Sequence, residues 1–268
     1  MVKNSVLNPI ITLTTDFGLR DPYVAEMKAV ILGVCPTAAI VDVTHHIEKF
    51  NIRMGAYTLA AATPYFPDGT IHVAVVDPGV GTKRRAVLVQ TESSCYIGPD
   101  NGVLTLAAKN QGVKHIYETE NPKFMLPRIS NTFHGRDIFA PAAAYLANGI
   151  SPSEFGQEVR EIVTPKFARL TKRKNVLVGE VIHIDGFGNT VTNLREKDLE
   201  CMDAAIVNLK LRNVRLKLKL CKAYDEVEVQ KPLAIIGSHN FLEISINQGN
   251  AAENFQIRVG DKITLYHS

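Results

Sequence analysis

The chain contains no tryptophan, and its four cysteines, Cys35, Cys95, Cys201 and Cys221, include no C-x-x-C pair. That spacing excludes a disulfide-built scaffold and the short ligand spacings of structural zinc sites, so no metal is expected. No apolar run approaches the ~20 residues of a membrane helix. Met1–Ile10 also lacks a signal peptide's long hydrophobic segment. The expectation is a soluble cytoplasmic protein with no membrane partner. Neither a Walker-type phosphate loop nor a GxGxxG fingerprint is present. With 13 prolines and 18 glycines at ordinary levels, collagen-like and disordered architectures are excluded as well.

What is present is enough to build a sizeable core. The 268 residues are 46% hydrophobic, and at about 150 residues per domain they make one large domain or two unequal ones. The net charge of +3 is too small to imply a nucleic-acid partner. It is unevenly spread, since Lys166–Lys222 carries 13 basic and six acidic residues. Part of the excess is an alternation, Arg215, Lys217 and Lys219 against Leu216, Leu218 and Leu220, which predicts a strand with one wet basic face. No aromatic residues interleave there to stack on bases.

The first 160 residues alternate between strand and helix signals. Strands are expected at Ile10–Thr14, Ala39–Val43, Thr70–Val76, Ala86–Thr91 and Cys95–Ile97. Helices are expected at Pro22–Leu32, Ile52–Ala62, Leu104–Lys109 and Ile138–Asn148. Helical crossovers imply a mostly parallel sheet covered on both faces, with ligands beyond the strands' carboxyl ends. Asp16, His45 and Asp77 each follow such a strand. The pattern changes near Thr164–Asn175. Beyond it, short β segments at Val176–Ile184, Ala205–Leu209, Val214–Leu220, Leu233–Gly237, Leu242–Ile246 and Lys262–Leu265 predict a smaller antiparallel, barrel-like domain. The expected organisation is an α/β domain over 1–165, a linker over 166–175 and a β domain over 176–268.

Single constellations leave alternatives open. Asp77-Pro78-Gly79-Val80-Gly81-Thr82 is either a tight turn or a ligand-facing loop. Asp16 is suited to a vicinal diol, as in a ribose, or to capping a helix. In Asp185-Gly186-Phe187-Gly188-Asn189, Phe187 is placed either to stack on a planar group or to enter the core of a glycine-rich hairpin. Asn189 has the donor and acceptor to read a heteroaromatic edge.

Taken in order, the strings resemble one family. They are Thr14-Thr15-Asp16-Phe17-Gly18, Val41-Asp42-Val43-Thr44-His45, Val75-Val76-Asp77-Pro78-Gly79-Val80-Gly81-Thr82, Gly98-Pro99-Asp100-Asn101-Gly102, Thr132-Phe133-His134-Gly135-Arg136-Asp137, Asp185–Asn189, Leu242-Glu243-Ile244 and Asn250-Ala251-Ala252. The chain is similar to the S-adenosyl-L-methionine (SAM) hydroxide adenosyltransferases, relatives of the SAM-dependent fluorinase and chlorinase. The resemblance implies a homotrimer whose sites lie between the N-terminal domain of one subunit and the C-terminal domain of its neighbour. It implies hydrolysis of SAM to adenosine and methionine, with no cofactor.

By the same resemblance, Asp16 holds the ribose hydroxyls and Phe50 walls the substrate. Asp185, Phe187 and Asn189 grip the adenosine and methionine parts, and Ser238 lies near the methionine carboxylate. Asp77, Arg84 and His134 form the set of the hydroxide-using branch. The expectation is that His134 and Asp77 orient a water and take its proton, with Arg84 setting their charge balance and the Asp77 anion fixing the imidazole tautomer; alternatively, Arg84 stabilises a bound hydroxide. Gly135, where the fluorinase has a serine, is expected to open space at the nucleophile pocket. The alternatives are a chlorinase-type halogenase and a non-catalytic SAM or adenosine sensor.

Overall fold

The computed structural model describes residues 8–173, 176–199, 206–211 and 214–266. The chain divides into two compact units, Met1–Thr164 and Pro165–Ser268.

In the first unit, six strands form one sheet: β1 (Ile10–Thr15), β2 (Ala39–Thr44), β3 (Ile71–Val75), β4 (Ala86–Thr91), β5 (Cys95–Pro99) and β6 (Val113–Glu118), in the order β2-β1-β3-β5-β4-β6. The first four in that order run parallel. β4 runs antiparallel to both β5 and β6, so the parallel run expected from the crossovers ends in an antiparallel edge. β6 is not legible in the sequence because its first three residues are exposed and the strand carries lysine, histidine and glutamate. An edge strand of that kind reads as a loop.

The helices are α1 (Tyr23–Val34), α2 (Ile52–Ala62), α3 (Thr105–Asn110) and α4 (Ala140–Ala147). The period-2 alternation of the strands sends Ile11, Leu13, Val73, Val75, Leu88 and Ile97 to a core shared with α1 and α4. Met27 and Ile31 come from α1, while the run of alanines on α4 lets that helix approach closely. α2 and α3 pack together. Gly55 of α2 faces Val76 and Val103 so tightly that a Cβ would stand 3.0–3.1 Å from their methyls. Just before α4 the chain makes one π-helical turn, Gly135–Phe139. This is a rare widening found most often at functional positions.

In the second unit, strands β7 (Thr171–Arg173), β8 (Val176–Ile184), β9 (Thr190–Arg195), β10 (Ile206–Leu211), β11 (Val214–Cys221), β12 (Pro232–Ile236), β13 (Phe241–Ile246) and β14 (Lys262–Tyr266) form the order β14-β10-β11-β12-β13-β9-β8-β7. β14 also pairs with β8, which closes seven of the strands into a barrel and leaves β7 outside on β8. β11 and β12 are parallel neighbours over two residue pairs, and the other ladders are antiparallel. The helical turns α5 (Glu196–Leu199) and α6 (Ala251–Asn254) are four residues each.

The segment expected as a linker contributes Lys166–Ala168 as a 3-10 turn and Thr171–Arg173 as β7. Ala205, expected at the start of a strand, lies outside the described residues. β9 was hidden in the sequence because Thr190, Thr192 and Asn193 are polar yet buried. β11 carries the anticipated basic face. Arg215, Lys217 and Lys219 are exposed while Leu218 is buried.

Candidate functional sites, one in each unit

β2, β1 and β3 are adjacent and parallel, so their carboxyl ends deliver His45, Asp16 and Asp77 to one edge of the first unit. A cleft of about 560 Å³ opens there, lined among others by Asp16, Phe50, Asp77, His134 and Gly135. His45 does not line it and is buried beside it.

Asp16 caps no helix. Its Oδ2 accepts the backbone N–H of Phe50 at 2.8 Å, and the cap of α2 is Asn51, whose side chain accepts from the Met54 amide. Phe50 sits at φ 65°, the left-handed region that costs a non-glycine residue about 1 kcal/mol or more. The bonds on either side hold it there. Its ring is 67% exposed.

Asp77 and Arg84 form a partly buried ion pair. Arg84 Nε lies 3.1 and 3.0 Å from the two Asp77 oxygens, and Nη2 lies 2.6 Å from Oδ2. The same Nη2 is 2.6 Å from His134 Nδ1. The guanidinium therefore stands between the carboxylate and the imidazole, which corrects the expectation that Asp77 itself fixes the imidazole. A guanidinium can only donate, so Nδ1 must accept, and the single ring proton of His134 is assigned to Nε2. Burial and then the adjacent Arg84 charge hold the His134 pKa below its ordinary 6.5, against opposing pulls from Asp77 and Asp137.

The π-helical turn begins immediately after His134. Inside it, Asp137 is fully buried, accepting from the Ser130 amide at 2.7 Å and from Arg136 Nε at 2.7 Å. Arg136 also reaches Glu26 at 2.7 Å. Gly135 does not open the pocket as expected. A Cβ there would meet Phe133, Met27 and Phe17 at 3.1, 3.3 and 3.4 Å, so a larger residue would have to push them aside. Phe17, Tyr23 and Phe133 form an edge-to-face aromatic wall that is not legible in the sequence, because Phe133 lies more than 100 residues from the other two.

In the second unit, Asp185 organises the loop joining β8 to β9. Its Oδ1 accepts the amides of Phe187 and Asn189, both at 2.9 Å, and its Oδ2 accepts Asn189 Nδ2 at 2.9 Å. Gly188 takes φ 83°, and a Cβ there would collide with the Asn250 side chain. Phe187 is 80% exposed, so it belongs to no core. Asp185, Phe187 and Asn189 line a second cavity of about 660 Å³ with Tyr224 and Asn250. Ser238, exposed in the turn between β12 and β13, does not line it. Behind Asp185 lies Glu243 on β13. Burial, then the Asp185 charge, pushes its carboxyl up to about 7.

Comparison with known proteins gives these two sites a context. Residues 11–156 match the SAM hydroxide adenosyltransferase N-terminal domain, and residues 179–264 match the corresponding C-terminal domain. The chain is 39% identical over 267 residues to an (R)-S-adenosyl-L-methionine hydrolase of Thermus thermophilus, covering 97% of this chain and 100% of that one. It is 37% identical over 276 residues to one of Methanocaldococcus jannaschii, covering 99% and 98%. Among solved structures, a conserved protein from Thermotoga maritima superposes with a TM-score of 0.84 at 36% identity, over 96% of this chain and 100% of that chain.

Proposed function

Because the chain belongs to the SAM hydroxide adenosyltransferase family, we propose that it hydrolyses S-adenosyl-L-methionine at C5′, giving adenosine and L-methionine. The observation that carries the reading is the Asp77–Arg84–His134 relay at the edge of a cleft that also holds Asp16.

The sulfonium of SAM leaves readily, so no general acid is needed. The task is to hold an oxygen in line with the C5′–S bond. Asp16 takes the ribose hydroxyls and Phe50 covers the sugar. Orientation of this kind contributes several kcal/mol. His134 offers Nε2–H to the nucleophilic oxygen as a donor, and Arg84 locks that tautomer from the other side of the ring. Asp77 is the acceptor of the relay that lines the cleft, and it takes the water proton. The water oxygen bonds to C5′ while the C5′–S pair returns to sulfur, neutralising it to a thioether. An anionic carboxylate at this place repels a halide. Gly135 supplies no hydroxyl to help strip water from a halide, and both features favour water over chloride or fluoride.

Asn189 reads the adenine edge, Phe187 stacks on it, and Asp185 with Ser238 serves the methionine end. These groups lie in the second unit and the reacting groups in the first. We therefore propose a cytoplasmic homotrimer in which each site joins the first unit of one subunit to the second unit of its neighbour. The exposed rings of Phe50 and Phe187 support this, since both bind best when covered.

The test is turnover of SAM in ¹⁸O-enriched water, with and without chloride, read by mass spectrometry. Adenosine labelled at the 5′ oxygen, independent of chloride, is the expected product. 5′-Chloro-5′-deoxyadenosine would move the protein to the halogenases. Tight SAM binding with no product above background would make it a sensor.

A further inference from the structure

His45 follows β2 on the same edge as Asp16 and Asp77, yet the proposed chemistry does not use it. It is 3% exposed. Its Nδ1 lies 2.9 Å from Thr15 Oγ1, and its Nε2 lies 3.1 Å from Asp42 Oδ1. Asp42 in turn holds Lys28 Nζ at 2.6 Å. Carboxylate, imidazole and hydroxyl thus stand in the order of a nucleophile triad. The hydroxyl is no nucleophile, however, because Thr15 is fully buried and its Oγ1 accepts the Phe17 amide at 3.2 Å.

What this chain of contacts surrounds is Asp16. Thr15 and Phe17, the residues on either side of it, are joined through the hydroxyl that His45 holds. The His45 carbonyl accepts the Gly18 amide at 2.7 Å, and Ile47 N–H reaches the Thr15 carbonyl at 3.3 Å. The loop so anchored runs on to Phe50, whose amide fixes Asp16 Oδ2. The carboxylate is therefore held from its own backbone and from the loop that caps it, and both holds meet at His45, the first through its ring and the second through its backbone.

We propose that His45 is a positioning residue that sets Asp16 at the angle a vicinal diol requires. Its ring acts through the Thr15 hydroxyl, which in turn holds the Phe17 amide on the other side of Asp16. The inference rests on the reading of Asp16 as the ribose carboxylate.

The experiment is calorimetry with adenosine and with 2′,3′-dideoxyadenosine, the probe lacking the diol. The proteins compared are the intact wild type, Asp16→Ala, His45→Ala and His45→Asn. The wild type prefers adenosine, and Asp16→Ala abolishes the preference. His45→Ala loses about 10-fold or more of the adenosine affinity, the worth of a misaligned charged hydrogen bond. Its dideoxyadenosine affinity stays within about twofold of the wild type, inside the few tenths of a kcal/mol expected where no contact changes. In SAM turnover the same variant raises KM more than it lowers kcat. His45→Asn, whose amide replaces Nδ1 against Thr15, restores the preference.

Equal loss of both nucleosides in His45→Ala, or an unchanged preference for adenosine, overturns the proposal. Should His45→Ala not fold, the isosteric Thr15→Val takes its place with the same two outcomes. A wild type indifferent to the diol would overturn the ribose role of Asp16 itself. That result is distinct from an intact Asp16 effect with a silent His45.

Discussion

Arg84 Nη2 lies 2.6 Å from His134 Nδ1, so an obligate donor is pressed against one nitrogen of the imidazole and the ring proton is driven to the other. In the proposed reaction His134 then meets the nucleophile as a donor. The guanidinium also opposes protonation of the ring, which burial already disfavours. The expected kcat/KM profile therefore holds through pH 6.5 and falls only at lower pH. In Arg84→Gln the cation is gone and Asp77 is left to favour the imidazolium, so the acid limb moves to higher pH. An acid limb that stays in place in the variant would remove His134 from the relay.

A donor role and a general-base role separate by substitution. His134→Gln keeps an amide N–H near Nε2 and is expected to retain activity within about tenfold, whereas His134→Ala loses about 10²-fold or more. Steady-state rates decide it. Equal losses in both variants would make the imidazole the base.

Phe50 carries strain that its ring justifies only through substrate. Phe50→Gly removes the left-handed penalty of about 1 kcal/mol or more and also removes the aromatic wall. The expected result is a Tm equal to or above the wild type's and a raised KM for SAM. Scanning calorimetry and initial rates check it. A lowered Tm would mean that the ring stabilises the fold rather than the bound state.

Glu243 links the second unit to pH. Its carboxyl stands at about 7 in the folded protein against an ordinary 4.5. Between those values the unfolded chain has released the proton and the folded one still holds it, so stability falls as pH rises through this window. The full effect, about 3 kcal/mol, is lost by pH 8. Glu243→Gln, neutral throughout, should match the wild type near pH 4.5 and exceed it at pH 8. Denaturant melts at the two pH values measure the difference. A variant that tracks the wild type at both would show that the carboxyl titrates normally.

The strand ends were legible in the sequence because β-rich runs closed on Asp16, His45 and Asp77, and adjacent parallel strands bring such ends together. Whether Asp16 was a cap or a ligand group was not legible, because the amide it accepts belongs to Phe50, 34 residues away. The placement of Arg84 between Asp77 and His134 depends on a contact across 50 residues. No local pattern encodes such a contact. β9 was missed for a different reason. Its threonines are buried, and Thr192 bonds inward to the Leu242 carbonyl at 2.8 Å, so polarity in the sequence hid burial in the fold.

The barrel's strand count has a consequence of parity. A closed ring of seven cannot alternate direction all the way round, so at least one neighbouring pair must point the same way. β11 and β12 are that pair, joined by only Leu220↔Ala234 and Cys221↔Ile235. The closure that removes every free edge from those seven strands thus creates one short seam, and this seam is where the ring should part first under load.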